Sequence, residues 1–212
     1  MMEETVRREK HDARGQRIGV LGGTFDPPHA AHLSLAHAVR EHLQLDEIIL
    51  VPAHQNPSKS AAGRSSAWHR LSMTRLAVQG EVGLAVSDID VSRPGPSFAI
   101  ESLTEFSQTR PGQYWFVLGM DALATFATWK DPDRIVRLAR LAVVERPGTD
   151  TERTLNYLPE HIQDRIDLVP FPATEISSTQ LREFIHKWMK PELLLKPAVL
   201  DYIHDNRLYA EL

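Results

Sequence analysis

Residues 18–32 read IGVLGGTFDPPHAAH. The stretch joins an apolar run to a pair of glycines, two prolines and the start of a helical pattern. A short apolar run bounded by turn residues is typical of a parallel strand that is covered on both faces. Paired glycines permit a tight turn and let a ligand come close to the main chain. The stretch therefore predicts a strand, a ligand-facing turn and a helix, which together form the first unit of a parallel α/β sheet.

The same alternation continues along the chain. Five more apolar runs predict strands at Ile48–Val51, Leu84–Val86, Tyr114–Leu118, Leu141–Val144 and Ile166–Val169. Helical patterns lie between these runs. Alternation of this kind predicts a single α/β domain, a Rossmann-like doubly wound sandwich with a mostly parallel sheet and helices on both faces.

Three helical segments stand out by the spacing of their apolar residues. In the first, Leu35, Val39 and Leu43 lie four residues apart. A second pattern has the i, i+3, i+4, i+7 spacing of one buried helix face; its members are Leu181, Phe184, Ile185 and Trp188. A last helix is expected over Ala198 to Asn206.

Composition narrows the class of protein. The chain has 212 residues, of which 42% are hydrophobic and 25% charged, with a net charge of -4. These values fit one medium globular domain and give no reason to expect nucleic-acid or membrane partners. Because cysteine is absent, disulfides and thiolate metal sites are excluded.

Residues 1–16 are rich in Glu, Arg and Lys and lack an apolar run. They are therefore expected to be a disordered leader before a domain at 17–212, in a cytoplasmic protein.

Two histidines mark the start of the first predicted helix. His29 and His32 are three residues apart, so their side chains share a face of the first turn. Unpaired N–H groups and the positive end of the helix dipole favour an anion at this place. Two alternatives remain. The histidines could bind a metal, although His37 and His42 are five apart and poorly in register, or they could be structural.

A second candidate phosphate site opens the helix near residue 180, where residues 176–182 read ISSTQLR. Ser177 and Gln180 fit a capping box, which accounts for Ser177 alone. Hydroxyls from Ser178 and Thr179, free N–H groups and the Arg182 guanidinium would together form a phosphate cradle.

Both segments resemble signatures of the nucleotidyltransferase superfamily with an HxGH motif. Residues 23–32 are similar to G-x-F-D-P-x-H-x-G-H, with Ala31 in place of the motif glycine, and residues 176–182 are similar to I-S-S-T-x-x-R. The resemblance implies ATP as a substrate and His29, His32 and Arg182 as catalytic residues. The ATP-binding residues that it implies are Gly22, Gly23, Thr24, Phe25, His29, His32, Gly119, Asp121, Ser178, Thr179 and Arg182.

Segments at the predicted C-terminal strand ends extend the resemblance to the bacterial nicotinate-nucleotide adenylyltransferase family over residues 17–209. The resemblance implies nicotinate mononucleotide as the acceptor, and acceptor-binding residues Lys59, Phe98, Ala99, Trp129 and Arg146. Phe98 and Ala99 replace the Tyr-Thr that is frequent in this family. Trp129 would stack on the pyridine ring or, alternatively, belong to the core beside Phe126.

Two further assignments each have a structural alternative. Asp121 would contact a ribose hydroxyl or cap the helix that follows it. Lys59 and Arg64 would belong to an arm that closes on phosphates, or to an ordinary solvated loop.

The chemistry that this resemblance implies needs no general base, because the acceptor phosphate is mostly a dianion at neutral pH. Mg²⁺ is expected as a substrate-bound cofactor, held by triphosphate oxygens and water rather than by a metal site of the protein. Anionic phosphates should raise the pKa of both histidines.

A homo-oligomer is possible. The competing functions are adenylyl transfer to another acceptor such as phosphopantetheine, nucleotide sensing without turnover, and metal binding through histidines.

Overall fold

The computed structural model describes residues 15–57, 65–145, 147–148, 150–172, 176–187 and 194–210. Its strands are β1 (Gln16–Gly23), β2 (Glu47–Pro52), β3 (Leu84–Val86), β4 (Gly112–Gly119), β5 (Ala139–Glu145) and β6 (Ile166–Pro170). Its helices are α1 (Ala30–His42), α2 (Ala67–Val78), α3 (Ala99–Thr109), α4 (Met120–Leu123), α5 (Pro132–Leu138), α6 (Thr151–Asn156), α7 (Glu160–Gln163), α8 (Ser178–His186) and α9 (Pro197–Asp205), with a 3-10 turn at Phe126–Thr128.

The strands form one parallel sheet in the order β3-β2-β1-β4-β5-β6. All six predicted strands are present, so the doubly wound α/β architecture is confirmed. The strand order reverses between β1 and β4, and the crevice beyond the carboxyl ends of these two strands is where such sheets bind ligands.

Apolar residues cover both faces of the sheet because successive strand residues point to opposite sides. In β4, Trp115 and Val117 join one core cluster, whereas Phe116 and Leu118 join the other. The first cluster is closed by α1, α2, α8 and α9, and the second by α3, α4, α5 and α7. The continuous apolar strands are thus buried on both sides, as the sequence predicted.

The structure corrects some sequence-based boundaries. The chain enters β1 at Gln16, one residue inside the predicted leader, and residues 1–14 lie outside the described residues. α9 spans Pro197–Asp205, one residue earlier than predicted, since proline favours the first helical position.

The apolar face predicted for α8 is partly wrong. Leu181 is fully buried and Ile185 packs partly against the core, but Phe184 is 36% exposed. Leu181 is the buried residue of the helix, so the apolar stripe is wider than the surface on which α8 packs. Trp188, the last member of the pattern, lies outside the described residues.

No helix in the described part of the chain combines the length and the hydropathy that a membrane span requires.

Candidate active site

The β1–α1 loop and the start of α8 meet directly. The Ser178 hydroxyl donates to the main-chain carbonyl of Pro27 at 3.0 Å, and Arg182 Nη1 donates to the carbonyl of Asp26 at 2.8 Å. These contacts join residues more than 150 positions apart along the chain. The two sequence motifs therefore lie together at the switch point between β1 and β4.

Further hydrogen bonds lie within the second motif. Arg182 Nη2 donates to the Thr179 hydroxyl at 3.2 Å, while Ser177 accepts the Gln180 N–H and the Gln180 side chain accepts the Ser177 N–H, completing the capping box. Ser178 and Arg182 thus hold the β1–α1 loop in place. Thr179, whose hydroxyl accepts from Arg182, is exposed.

The two motif histidines form a close pair at the start of α1, with their ring planes tilted by 36°. His29 precedes the helix in an extended conformation, and its N–H donates to Nδ1 of His32 at 3.2 Å. The ring centroids are 3.8 Å apart. Because Nδ1 of His32 accepts this bond, the neutral His32 ring carries its proton on Nε2. His32 is half-buried, and in this tautomer its Nε2 is a hydrogen-bond donor.

His29 is deeply buried, with 5% of its surface exposed. Burial lowers the pKa of His29 to about 4, so the imidazole is neutral at pH 7 without a ligand. Among the described residues, nothing hydrogen-bonds its Nδ1 atom. His37, further along the helix, bonds Glu81 at 2.8 Å instead of joining the pair.

The two glycines of the β1–α1 turn have different structural requirements. A Cβ at Gly23 would lie 2.6 Å from the ring of Phe25, which is itself buried and has φ +50°. A Cβ at Gly22 would meet only Phe116, at 3.6 Å. The glycine requirement at position 23 therefore comes from the packing of Phe25 and not only from the approach of a ligand. Ala31, which stands where the motif has glycine, is buried.

Arg70 is a component of the site that the sequence analysis missed. This α2 side chain is buried, and its guanidinium donates to the carbonyls of Thr24 at 2.8 Å, His54 at 2.9 Å and Ser65 at 3.2 Å. It thereby ties the β1–α1 loop to the loop after β2. The sequence feature that could have identified Arg70 is its helical spacing from Met73, Thr74 and Ala77, which places an arginine on the buried face of α2.

The loops after β2 and β3 are also linked. The His54 N–H donates to the Ser97 hydroxyl at 2.8 Å, and the Ser97 N–H donates to the Gln55 carbonyl at 2.8 Å. These bonds bring Phe98 and Ala99, at the start of α3, to the ligand edge of the sheet. The Phe98 ring is half-buried, and Lys130 Nζ lies 4.6 Å from its centre.

Trp129 shows features of both of its sequence-based interpretations. Its ring packs edge-on against Phe116 and tilted against Phe126, with centroids 5.9 and 5.4 Å apart. It is nevertheless only half-buried. The side chain is anchored on the core and still offers surface to a ligand.

The end of β4 is open to solvent. Gly119 is exposed, and a Cβ placed there would meet no atom within 4 Å. Asp121 is exposed inside the first turn of α4, whose N-cap residue is Gly119. The capping alternative for Asp121 is therefore wrong, because the residue lies within the helix. Lys59, Arg64 and Arg146 lie outside the described residues.

Comparison with known proteins agrees with this geometry. Residues 20–184 match the family model of cytidylyltransferase-like proteins. A probable nicotinate-nucleotide adenylyltransferase of Gloeobacter violaceus is 39% identical over 206 residues, covering 92% of this chain and 97% of the relative. One from Herpetosiphon aurantiacus is 37% identical over 197 residues, covering 92% and 98%.

A solved structure shares the fold. The Plasmodium falciparum nicotinic acid mononucleotide adenylyltransferase complexed with NaAD superposes with a TM-score of 0.72 at 22% identity, covering 92% of this chain and 98% of that one. Since the curated relatives exceed 30% identity over nearly the whole length, the chain belongs to the nicotinate-nucleotide adenylyltransferase family.

Proposed function

We propose that this chain transfers the adenylyl group of ATP to nicotinate mononucleotide, forming deamido-NAD and pyrophosphate in NAD biosynthesis. The observation that carries the proposal is the contact between the β1–α1 loop and the start of α8 at the sheet's switch point. The likeness to curated nicotinate-nucleotide adenylyltransferases supports it. The cytoplasmic location and self-association remain predictions.

In the proposed reaction an oxygen of the acceptor phosphate attacks the α-phosphorus of ATP, and the bond from that phosphorus to the bridging oxygen of pyrophosphate breaks. The nucleophile is already anionic, so the protein has to align the two phosphates and stabilise charge that moves onto pyrophosphate. His32 would perform this task, since the bond that its Nδ1 accepts leaves Nε2 as the donor to an α-phosphate oxygen.

In the proposed complex, each of the two motifs would bind a different part of the triphosphate. His29 and the turn at Gly22–Phe25 would hold the phosphate chain near α1. Thr179 and the uncommitted N–H groups of Arg182 would bind the β- and γ-phosphates, while Ser178 keeps the loop in register. Gly119 and Asp121 would meet the nucleoside at the open end of β4.

The acceptor would lie beside α3 and the 3-10 turn. Main-chain N–H groups at Phe98 and Ala99 would bind the nicotinate carboxylate, since a helix start favours an anion. Trp129 would lie against the pyridine ring from its anchored position. Lys59 and Arg146 are proposed phosphate contacts on sequence grounds alone.

Mg²⁺ would enter with ATP as part of the substrate. Within the described ranges, no three His, Asp or Glu side chains are grouped to hold a metal ion. Triphosphate oxygens and water would supply the ligands, which is usual for this cation.

The decisive experiment supplies purified protein with MgATP and one acceptor at a time, and measures pyrophosphate. We expect kcat/KM for nicotinate mononucleotide to exceed that for nicotinamide mononucleotide by at least about tenfold, because one buried charge interaction is worth about 1.5–3 kcal/mol. A ratio near unity would contradict the acceptor assignment. Turnover with phosphopantetheine alone, or ATP binding without pyrophosphate release, would replace the proposal with the corresponding alternative.

A further inference from the structure

Asp26 is a buried junction within the β1–α1 loop. Its side chain is 1% exposed. One carboxylate oxygen accepts the Tyr209 hydroxyl at 2.6 Å, and the other accepts the Ser65 N–H at 3.2 Å. Its main-chain carbonyl accepts Arg182 Nη1 at 2.8 Å. One residue thus joins the loop to three distant segments of the chain.

Tyr209 reaches this junction from beyond the last helix, across 183 sequence positions. It is 7% exposed and its φ is +64°, while Arg207 in the same turn has φ +50°. Residues other than glycine rarely adopt this left-handed backbone conformation, and they keep it only where the surrounding structure enforces it. The chain here accepts two such residues and brings the Tyr209 hydroxyl inward.

The Tyr209 hydroxyl is a permanent donor. Burial, reinforced by the neighbouring Asp26 carboxylate, raises the pKa of Tyr209 well above its ordinary value. The hydroxyl therefore keeps its proton at neutral pH. It acts on Asp26 from the side of α2 and α9, while Arg182 acts on the same residue through its carbonyl.

We infer that Tyr209 is a positioning residue for adenylyl transfer: through Asp26 it sets the place of the loop that ends at His29 and leads into the first turn of α1, where His32 lies. The inference rests on the proposed function. The loop has only Pro27 and Pro28 between Asp26 and His29, and proline has a fixed φ. A displacement at Asp26 therefore passes to the histidines with little relaxation between them.

The matched control is Tyr202 on α9. Its hydroxyl makes a comparable bond, 2.9 Å to Nδ1 of His69 on α2, and among the described residues no hydrogen bond joins that hydroxyl to the β1–α1 loop. Tyr209→Phe and Tyr202→Phe each remove one hydroxyl and keep the ring. A merely structural role would make the two variants alike in kcat.

We expect Tyr209→Phe to lower kcat about tenfold or more, because small misplacements of reacting groups are costly, while KM for nicotinate mononucleotide changes less than about twofold. Tyr202→Phe should keep both constants within about twofold. Equal kcat for Tyr209→Phe and wild type, measured below the unfolding temperature of each, would overturn the inference. Should Tyr209→Phe fail to fold, Asp26→Leu, which removes the acceptor of the Tyr209 hydroxyl at similar volume, should lower kcat in the same direction; wild-type kcat in that variant would overturn the inference.

A ligand-free readout separates this inference from the proposed function. In NMR spectra of the imidazole groups, Tyr209→Phe should shift the His29 and His32 signals and leave His37 unchanged. Unshifted His29 and His32 signals would reject the positioning role even if the enzyme is active. Shifted signals in a protein that forms no dinucleotide would support the coupling of Tyr209 to the loop and reject the proposed function alone.

Discussion

At the scale of single residues, the Nδ1 atom of His32 accepts a main-chain hydrogen bond that also decides the tautomer of the ring. The bond from the His29 N–H fixes which ring nitrogen carries the proton. The edge of the Phe25 ring, with its centroid 5.0 Å away, limits the tilt of the imidazole. The donor is therefore oriented before ATP arrives, which is the condition for strong stabilisation of a transition state.

Replacing His32 by alanine should lower kcat by about 10²–10³-fold, the loss typical of one transition-state donor, while the Kd for ATP changes much less. Steady-state kinetics and calorimetry measure the two quantities. His37→Ala is the control, since it removes a histidine of the same helix that bonds Glu81. A His32→Ala enzyme with more than half of the wild-type turnover would exclude His32 from the mechanism.

At the scale of elements, the turn between β1 and α1 is shaped by the packing of Phe25 under Gly23. The ring of Phe25 is buried and also contacts His32. A change in the turn would therefore be felt both in the core and at the candidate site.

Gly23→Ala should destabilise the protein by about 1–3 kcal/mol, because the new methyl group would overlap a buried ring that has little room to move. Gly22→Ala is the paired control, and its Cβ makes only ordinary contact with Phe116. Urea unfolding of both variants measures the difference. If the two substitutions cost the same free energy, Phe25 is not the reason for glycine at position 23.

At the scale of the whole molecule, the burial of His29 couples folding to pH. Its pKa is about 4 in the folded protein against an ordinary value of 6.5. Between these values the unfolded chain binds a proton that the folded protein does not. The free energy of unfolding therefore falls as the pH drops from 6.5 towards 4, by an amount on the order of 3 kcal/mol.

We expect His29→Asn to remove this part of the pH dependence. Urea unfolding between about pH 7 and pH 4.5 would show a flatter profile for the variant. His161→Asn removes an exposed histidine and should keep the wild-type slope. A wild-type slope in His29→Asn would show that other groups cause the acid sensitivity.

Much of this molecule could be predicted from local patterns. All six strands, the helix after Gly23 and the helix at residue 178 follow from apolar spacing, glycine pairs and a capping box. These signals lie within a few residues of each other, so the sequence displays them directly. The exposure of Phe184 could not be predicted in this way, because periodicity shows which residues share a face and not how much of that face is covered.

The sequence by itself determined the succession of strands and helices along the chain, the two candidate phosphate-binding motifs and the family. Only the tertiary structure decided which segments meet. Arg70 bonding three loop carbonyls, Tyr209 holding Asp26, and the low pKa of His29 all depend on contacts or burial supplied by distant residues. The physical reason is that hydrogen-bond partners and desolvation depend on distance in space. Because the sheet brings its strand ends together, the separation of two residues along the chain does not show how far apart they lie in the fold.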